Sequence, residues 1–107
     1  MQKRIYLLST LLPTLGFLFA TPALSAEADL AKAEKIYKRS CATCHGKQGE
    51  KPAMGESKII NQLKPEEIST ALSERKAGNI TGAGSPAKQR LSEQDIHNLS
   101  EYIQTLK

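Results

Sequence analysis

The chain has 107 residues, with 15 Lys+Arg against 11 Asp+Glu, two Cys, two His, two Met, no Trp and 5% aromatic residues. That length holds one small domain, which excludes a multidomain enzyme, a repeat solenoid and a multi-span membrane protein. A content of 24% charged and 39% hydrophobic residues argues against a disordered tail.

The first element in chain order is a leader. Residues 5–20 carry no charge and hold both Phe residues. Lys3 and Arg4 precede them, and the run Thr21-Pro22-Ala23-Leu24-Ser25-Ala26 follows, so residues 1–26 read as a secretory signal peptide cleaved after residue 25, 26 or 28. An uncleaved anchor is the weaker reading, because the apolar run falls short of the roughly 20 residues a span needs. Pro13 and Gly16 also interrupt it. The expected product is a periplasmic domain of residues 27–107, with no stable membrane insertion.

Removal of Lys3 and Arg4 lowers the formal net charge from +4 to +2. That is too little for a nucleic-acid binder, and the remaining basic residues show no aromatic interleaving. Residues 27–107 contain neither Phe nor Trp. A domain so small and so poor in core material needs a staple, a metal or a large bound group.

Glu27 to Ser40 is the first predicted helix, with Leu30, Ala33, Ile36 and Tyr37 at helical spacing and acidic Glu27 and Asp29 at its positive end. It leads into Cys41-Ala42-Thr43-Cys44-His45, the C-x-x-C-H pattern of c-type haem attachment. Two thiols three residues apart on one helical face can each add across a vinyl group of a haem, and the adjacent imidazole then meets the iron from one side. Gly46 lets the chain turn sharply away. Cys41 and Cys44 are thus the covalent attachment residues and His45 the axial iron ligand, for one haem c.

Other chemistries share parts of this pattern. A Cys41 to Cys44 disulfide suits an oxidising compartment, and thioredoxin-like pairs also use C-x-x-C. The latter require a strand before the motif and a helix after it, the reverse of this chain. A zinc site needs about four ligands, and beyond these three only His97 offers itself.

Residues 46–57, with three Gly and a Pro, read as loop. A second helix opens at Pro65, carries Ile68, Ala71 and Leu72, and stops at Gly78, with Leu63 and Ile68 placed to staple its start. Residues 78–90 read as another loop. Ser92 with Asp95 forms a capping box, and Leu91 with Ile96 a second staple, opening a last helix whose Ile96, Leu99, Ile103 and Leu106 make one apolar stripe. His97 lies beside the stripe among polar residues and reads as a solvated helix position. No strand pattern and no internal repeat is present.

The chain resembles the class I cytochromes c, in particular the small bacterial mono-haem c-type cytochromes. The resemblance is carried by the Tyr37 helix running into Cys41-Ala42-Thr43-Cys44-His45-Gly46, by Ala53-Met54-Gly55, by Gly82-Ala83-Gly84-Ser85-Pro86, and by Leu91-Ser92-Glu93-Gln94-Asp95-Ile96 opening a helix that reaches Tyr102-Ile103. It implies an all-α cytochrome c fold, three main helices and loops wrapped around one covalent haem. The first and last helices would cross, with Tyr37 and Tyr102 near the contact.

One feature departs from that family. Its second axial ligand is normally a Met in the loop before the last helix, and here residues 78–90 contain none. The sixth position is left to water, a vacancy, Met54, Lys88, Asn79, His97 or a partner's side chain. The alternative role for Met54 is packing against the haem edge.

Two functions follow from these residues. The first is a single-electron carrier between redox partner proteins, monomeric and not an enzyme; no Ser/His/Asp set, paired carboxylates or phosphate loop is present. The alternative is a binder or sensor of NO- or CO-type ligands at an open iron. Peroxidase-like chemistry lacks identifiable acid-base groups.

Overall fold

The computed structural model describes residues 27–107, together with Pro13 and Gly16. The leader assigned to residues 1–26 otherwise lies outside the described residues. Five helices make up the described chain: α1 (Leu30–Ser40), α2 (Ala42–His45), α3 (Pro65–Lys76), α4 (Ser85–Gln89) and α5 (Glu93–Gln104), with short 3-10 turns at Ala53–Gly55 and Ile60–Gln62. Among the described residues there is no strand, and none of their helices is long and apolar enough to cross a membrane.

Helix α1 begins at Leu30, three residues later than its sequence periodicity predicts. The reason lies at its cap. The Asp29 carboxylate accepts from the Lys32 N–H at 3.0 Å, taking one of the amides a first helical turn leaves free. The Asp29 N–H donates to the Asn98 side chain on α5 at 3.0 Å. Asp29 therefore precedes the helix, and Glu27 lies outside it.

The buried face of α1, Ala33, Ile36 and Tyr37, packs against Ile96, Leu99, Ile103 and Leu106 around α5, and Ile68 of α3 and Leu91 complete the core. The stripe predicted on α5 is thus the centre of the fold. Its start is the predicted capping box: the Asp95 N–H donates to Ser92 Oγ and the Ser92 N–H to the Asp95 carboxylate, each at 3.0 Å. Asp95 also pairs with Lys32 at 3.1 Å, tying α5 to α1. At their crossing the Tyr37 and Tyr102 rings lie 5.6 Å apart, tilted by 55°, as the family resemblance implies.

Two stretches read as loop carry structure. Residues 53–55 form a 3-10 turn with Met54 at φ 57. Residues 85–89, inside the predicted loop 78–90, form α4. Five residues are too few for a periodic signal, and the entry is fixed by Ser85, whose hydroxyl accepts from the Gly82 N–H at 2.8 Å while its own N–H donates to the Gly82 carbonyl at 3.0 Å. Helix α4 packs on α3, and the Lys76 ammonium at the end of α3 donates to the Leu91 carbonyl, which pins the chain on the far side of α4.

Candidate functional site

The site is built where α1 ends. The Cys41 N–H donates to the Tyr37 carbonyl at 2.9 Å, and the Cys41 carbonyl accepts from the N–H groups of Cys44 at 3.2 Å and His45 at 3.0 Å. The chain therefore passes from α1 into α2 through Cys41 itself, which holds both thiols and the imidazole on one turn. Cys41 is half-buried against the core, whereas Cys44 is exposed. Both thiols are free, so the disulfide alternative is not the state of this structure.

The turn after His45 is closed by Gly46 at φ 87, a backbone region in which a side chain is strained. A Cβ there would also land on the Glu50 carboxylate, which accepts from the Gln48 N–H at 2.8 Å. From the other side the buried Tyr37 hydroxyl donates to the Gly46 carbonyl at 2.7 Å. His45 is thus followed by a turn locked from both faces.

Burial pushes the Cys41 thiol up, opposed by the Lys88 ammonium. Burial pushes the His45 imidazole down, reinforced by Lys88 and Arg75. Both effects on His45 favour the neutral ring, the form with a lone pair to give a metal. Among the described residues its Nδ1 is buried without a hydrogen-bond partner. Two unbridged thiols and such an imidazole on one turn suit a haem held by two thioethers and one nitrogen. They do not suit zinc: among the described residues no three His, Cys, Asp or Glu side chains converge as metal ligands.

The residues named for the opposite axial position are scattered. Met54 is 76% exposed, on a turn that packs against α2. The Asn79 side chain donates to the Glu74 carboxylate at 2.9 Å on the surface. His97 is exposed and borders a shallow hollow with Ala28, Leu30 and Glu101, at the start of α1. Only Lys88, on α4, is half-buried with its charge acting at Cys41 and His45. Arg75 gave no signal in the sequence. It stands in the last turn of α3, where a cation is ordinary.

Helical architecture, a free Cys-x-x-Cys-His turn and a core closed by the α1–α5 crossing define a c-type cytochrome. Residues 28–103 match the family model described as cytochrome C oxidase, cbb3-type, subunit III, and the chain belongs to this cytochrome c family. It is 42% identical to cytochrome c-553 of Helicobacter pylori over 83 residues, 77% of this chain and 86% of that protein. It is 37% identical to cytochrome c-554(547) of Halothiobacillus neapolitanus over 91 residues, 74% of this chain and 98% of that protein. The chain is a small class I c-type cytochrome, an electron carrier with covalently bound haem c.

Proposed function

We propose that haem c is attached through Cys41 and Cys44 with His45 as an axial ligand, and that the protein shuttles single electrons between donor and acceptor proteins in the periplasm after a leader over residues 1–26 is removed. The observation carrying this reading is the turn from Cys41 to Gly46, which presents two free thiols and a half-buried imidazole in a locked backbone. Bound haem supplies an iron that takes up and releases one electron. The chain's own residues hold it, shield one side and set its surroundings.

Thr43, Lys47 and Gln48, which flank the attachment residues, are exposed, so the surface beside the attachment turn is open to an approaching partner. Electron transfer needs such an approach and no substrate pocket. The relatives support a carrier rather than an enzyme: both are named as cytochromes and are matched over most of their length. A formal charge of +2 after loss of the leader gives little long-range steering, so partner docking is expected to depend weakly on salt.

The test is expression of the full chain in a host that matures c-type cytochromes, followed by fractionation, N-terminal sequencing and mixing of reduced protein with oxidase-containing membranes. The expected result is a red periplasmic protein starting between residues 26 and 29 that the membranes oxidise. A red protein that keeps its leader, or one the membranes leave reduced while it takes up CO, contradicts the proposal.

A further inference from the structure

We propose that the cleft between the last turn of α1 and the junction of α4 with α5 binds a small aliphatic monocarboxylate, its carboxylate held between Arg39 and Arg90 and its carbon chain lying on Ile36 and Leu91. The proposal goes beyond electron transfer and uses none of the attachment residues: Cys41, Cys44 and His45 do not line this cleft.

The cleft has a volume of about 170 Å³, room for about five or six water-sized groups. Ile36, Arg39 and Ser40 come to it from α1, Ala87 from α4, and Arg90 and Leu91 from the link into α5. Residues three and four apart on a helix share a face, so Arg39 and Ser40 stand on the face of Ile36. Ile36 and Leu91 are buried, whereas Arg39, Ser40 and Arg90 are exposed. The cleft therefore has an apolar floor and a cationic, hydroxyl-bearing rim. Its far wall is fixed at Leu91, whose N–H donates to the Lys88 carbonyl at 3.2 Å and whose carbonyl accepts from the Lys76 ammonium.

The rim carries charge that the protein does not match. Among the described residues, ion pairs join Lys32 to Asp95 and Lys38 to Glu34, and neither arginine belongs to one. Asp95 is the one acidic residue lining the cleft. Its carboxylate is already engaged, by Lys32 at 3.1 Å and by the Ser92 N–H at 3.0 Å. With Asp95 balanced by Lys32, the positive charges of Arg39 and Arg90 are left over.

These features define the ligand. A guanidinium presents its N–H donors in a planar fork that fits a carboxylate, and here one comes from each wall, with the Ser40 hydroxyl as a further donor. The floor selects what is joined to the carboxylate. Each methylene moved from water onto Ile36 and Leu91 tightens binding about fourfold, so an alkyl acid is preferred to an inorganic anion. A doubly charged anion such as phosphate is disfavoured further, because its second charge meets Asp95. Butanoate has about as many non-hydrogen atoms as the cleft has water-sized places.

The experiment titrates reduced, nitrogen-15-labelled holoprotein with butanoate, acetate, inorganic phosphate and butan-1-ol at constant ionic strength, reading amide shifts by nuclear magnetic resonance, with Arg39→Gln and Arg90→Gln alongside. Both arginines are exposed, so the variants keep the fold, which an unchanged unfolding midpoint checks. Butanoate is expected to move the Ser40, Ala87 and Leu91 amides along a saturating curve and to bind about tenfold or more tighter than acetate. Butan-1-ol leaves those signals in place, and each Gln variant weakens butanoate about tenfold or more. Acetate or phosphate binding as tightly as butanoate, shifts that do not saturate, or either Gln variant binding butanoate as wild type does overturns the proposal.

Discussion

Replacing Tyr37 by Phe removes a single oxygen from the centre of the α1–α5 crossing. The Tyr37 ring is 1% exposed, and its hydroxyl donates at 2.7 Å to the carbonyl of Gly46, itself buried. A hydrogen bond of this kind contributes roughly 0.5–1.5 kcal/mol net, and leaving a buried partner unsatisfied costs roughly 1–3 kcal/mol. The expected loss is about 1–2 kcal/mol, which for a domain of this size lowers Tm by about 5–15 °C. Thermal unfolding of the ferric holoprotein, followed at the Soret band and by circular dichroism, reads it. Alkali supplies a second reading. Burial, reinforced by Glu50, raises Tyr37 from 10.0 to about 12 in the folded protein, and the Cys41 contribution to that rise ends once its thiol is a thioether. The unfolded chain ionises first, so the stabilisation is intact below pH 10.0 and is lost as pH rises toward about 12. A difference of that size between folded and unfolded chain is worth at most about 2–3 kcal/mol, and less to the extent that solvent screens the phenolate. Stability of wild type should therefore fall more steeply than that of Tyr37→Phe across this window. Equal Tm values at neutral pH, or parallel alkaline curves, would refute the role given to this hydroxyl.

Other substitutions test the frame around the site. Leu99→Ala, at a position 1% exposed in the α5 stripe, should cost about 3 kcal/mol in denaturant unfolding of the holoprotein. Ser92→Ala removes the cap of α5 and should cost about 1 kcal/mol by the same assay. The Ser92 N–H, and then Lys32, hold the Asp95 carboxyl below its usual range, so its stabilisation is present at neutral pH and is lost as pH falls through that depressed value. Asp95→Asn should flatten this part of the acid unfolding curve. Gly46→Ala forces a Cβ into a left-handed backbone and onto the Glu50 carboxylate, with an expected cost of about 1–2 kcal/mol read as a lower unfolding midpoint.

Local signals carried much of this structure into the sequence. The Cys41-Ala42-Thr43-Cys44-His45 spacing, the Ser92 and Asp95 reciprocity and the Ile96 to Leu106 stripe each act over one to three helical turns, so their chemistry is visible in a short window. What stayed hidden depends on distant partners. The start of α1 is set at Asp29 partly by Asn98, 69 residues away. Helix α4 has a Pro in its first turn, but it is one turn long, and its packing on α3 rather than any repeat defines it. Lys88 illustrates the consequence: only a helix through residues 85–89 turns its side chain back over Gly84.

The measurement that bears most directly on this account is the intact mass of the exported protein before and after extraction with acidified acetone, with Cys41→Ala/Cys44→Ala alongside. The account predicts a mass equal to the processed polypeptide plus one haem, unchanged by extraction in the wild type and lost in the double variant. A wild-type protein whose haem is extracted, or whose mass is that of the polypeptide alone, would contradict it.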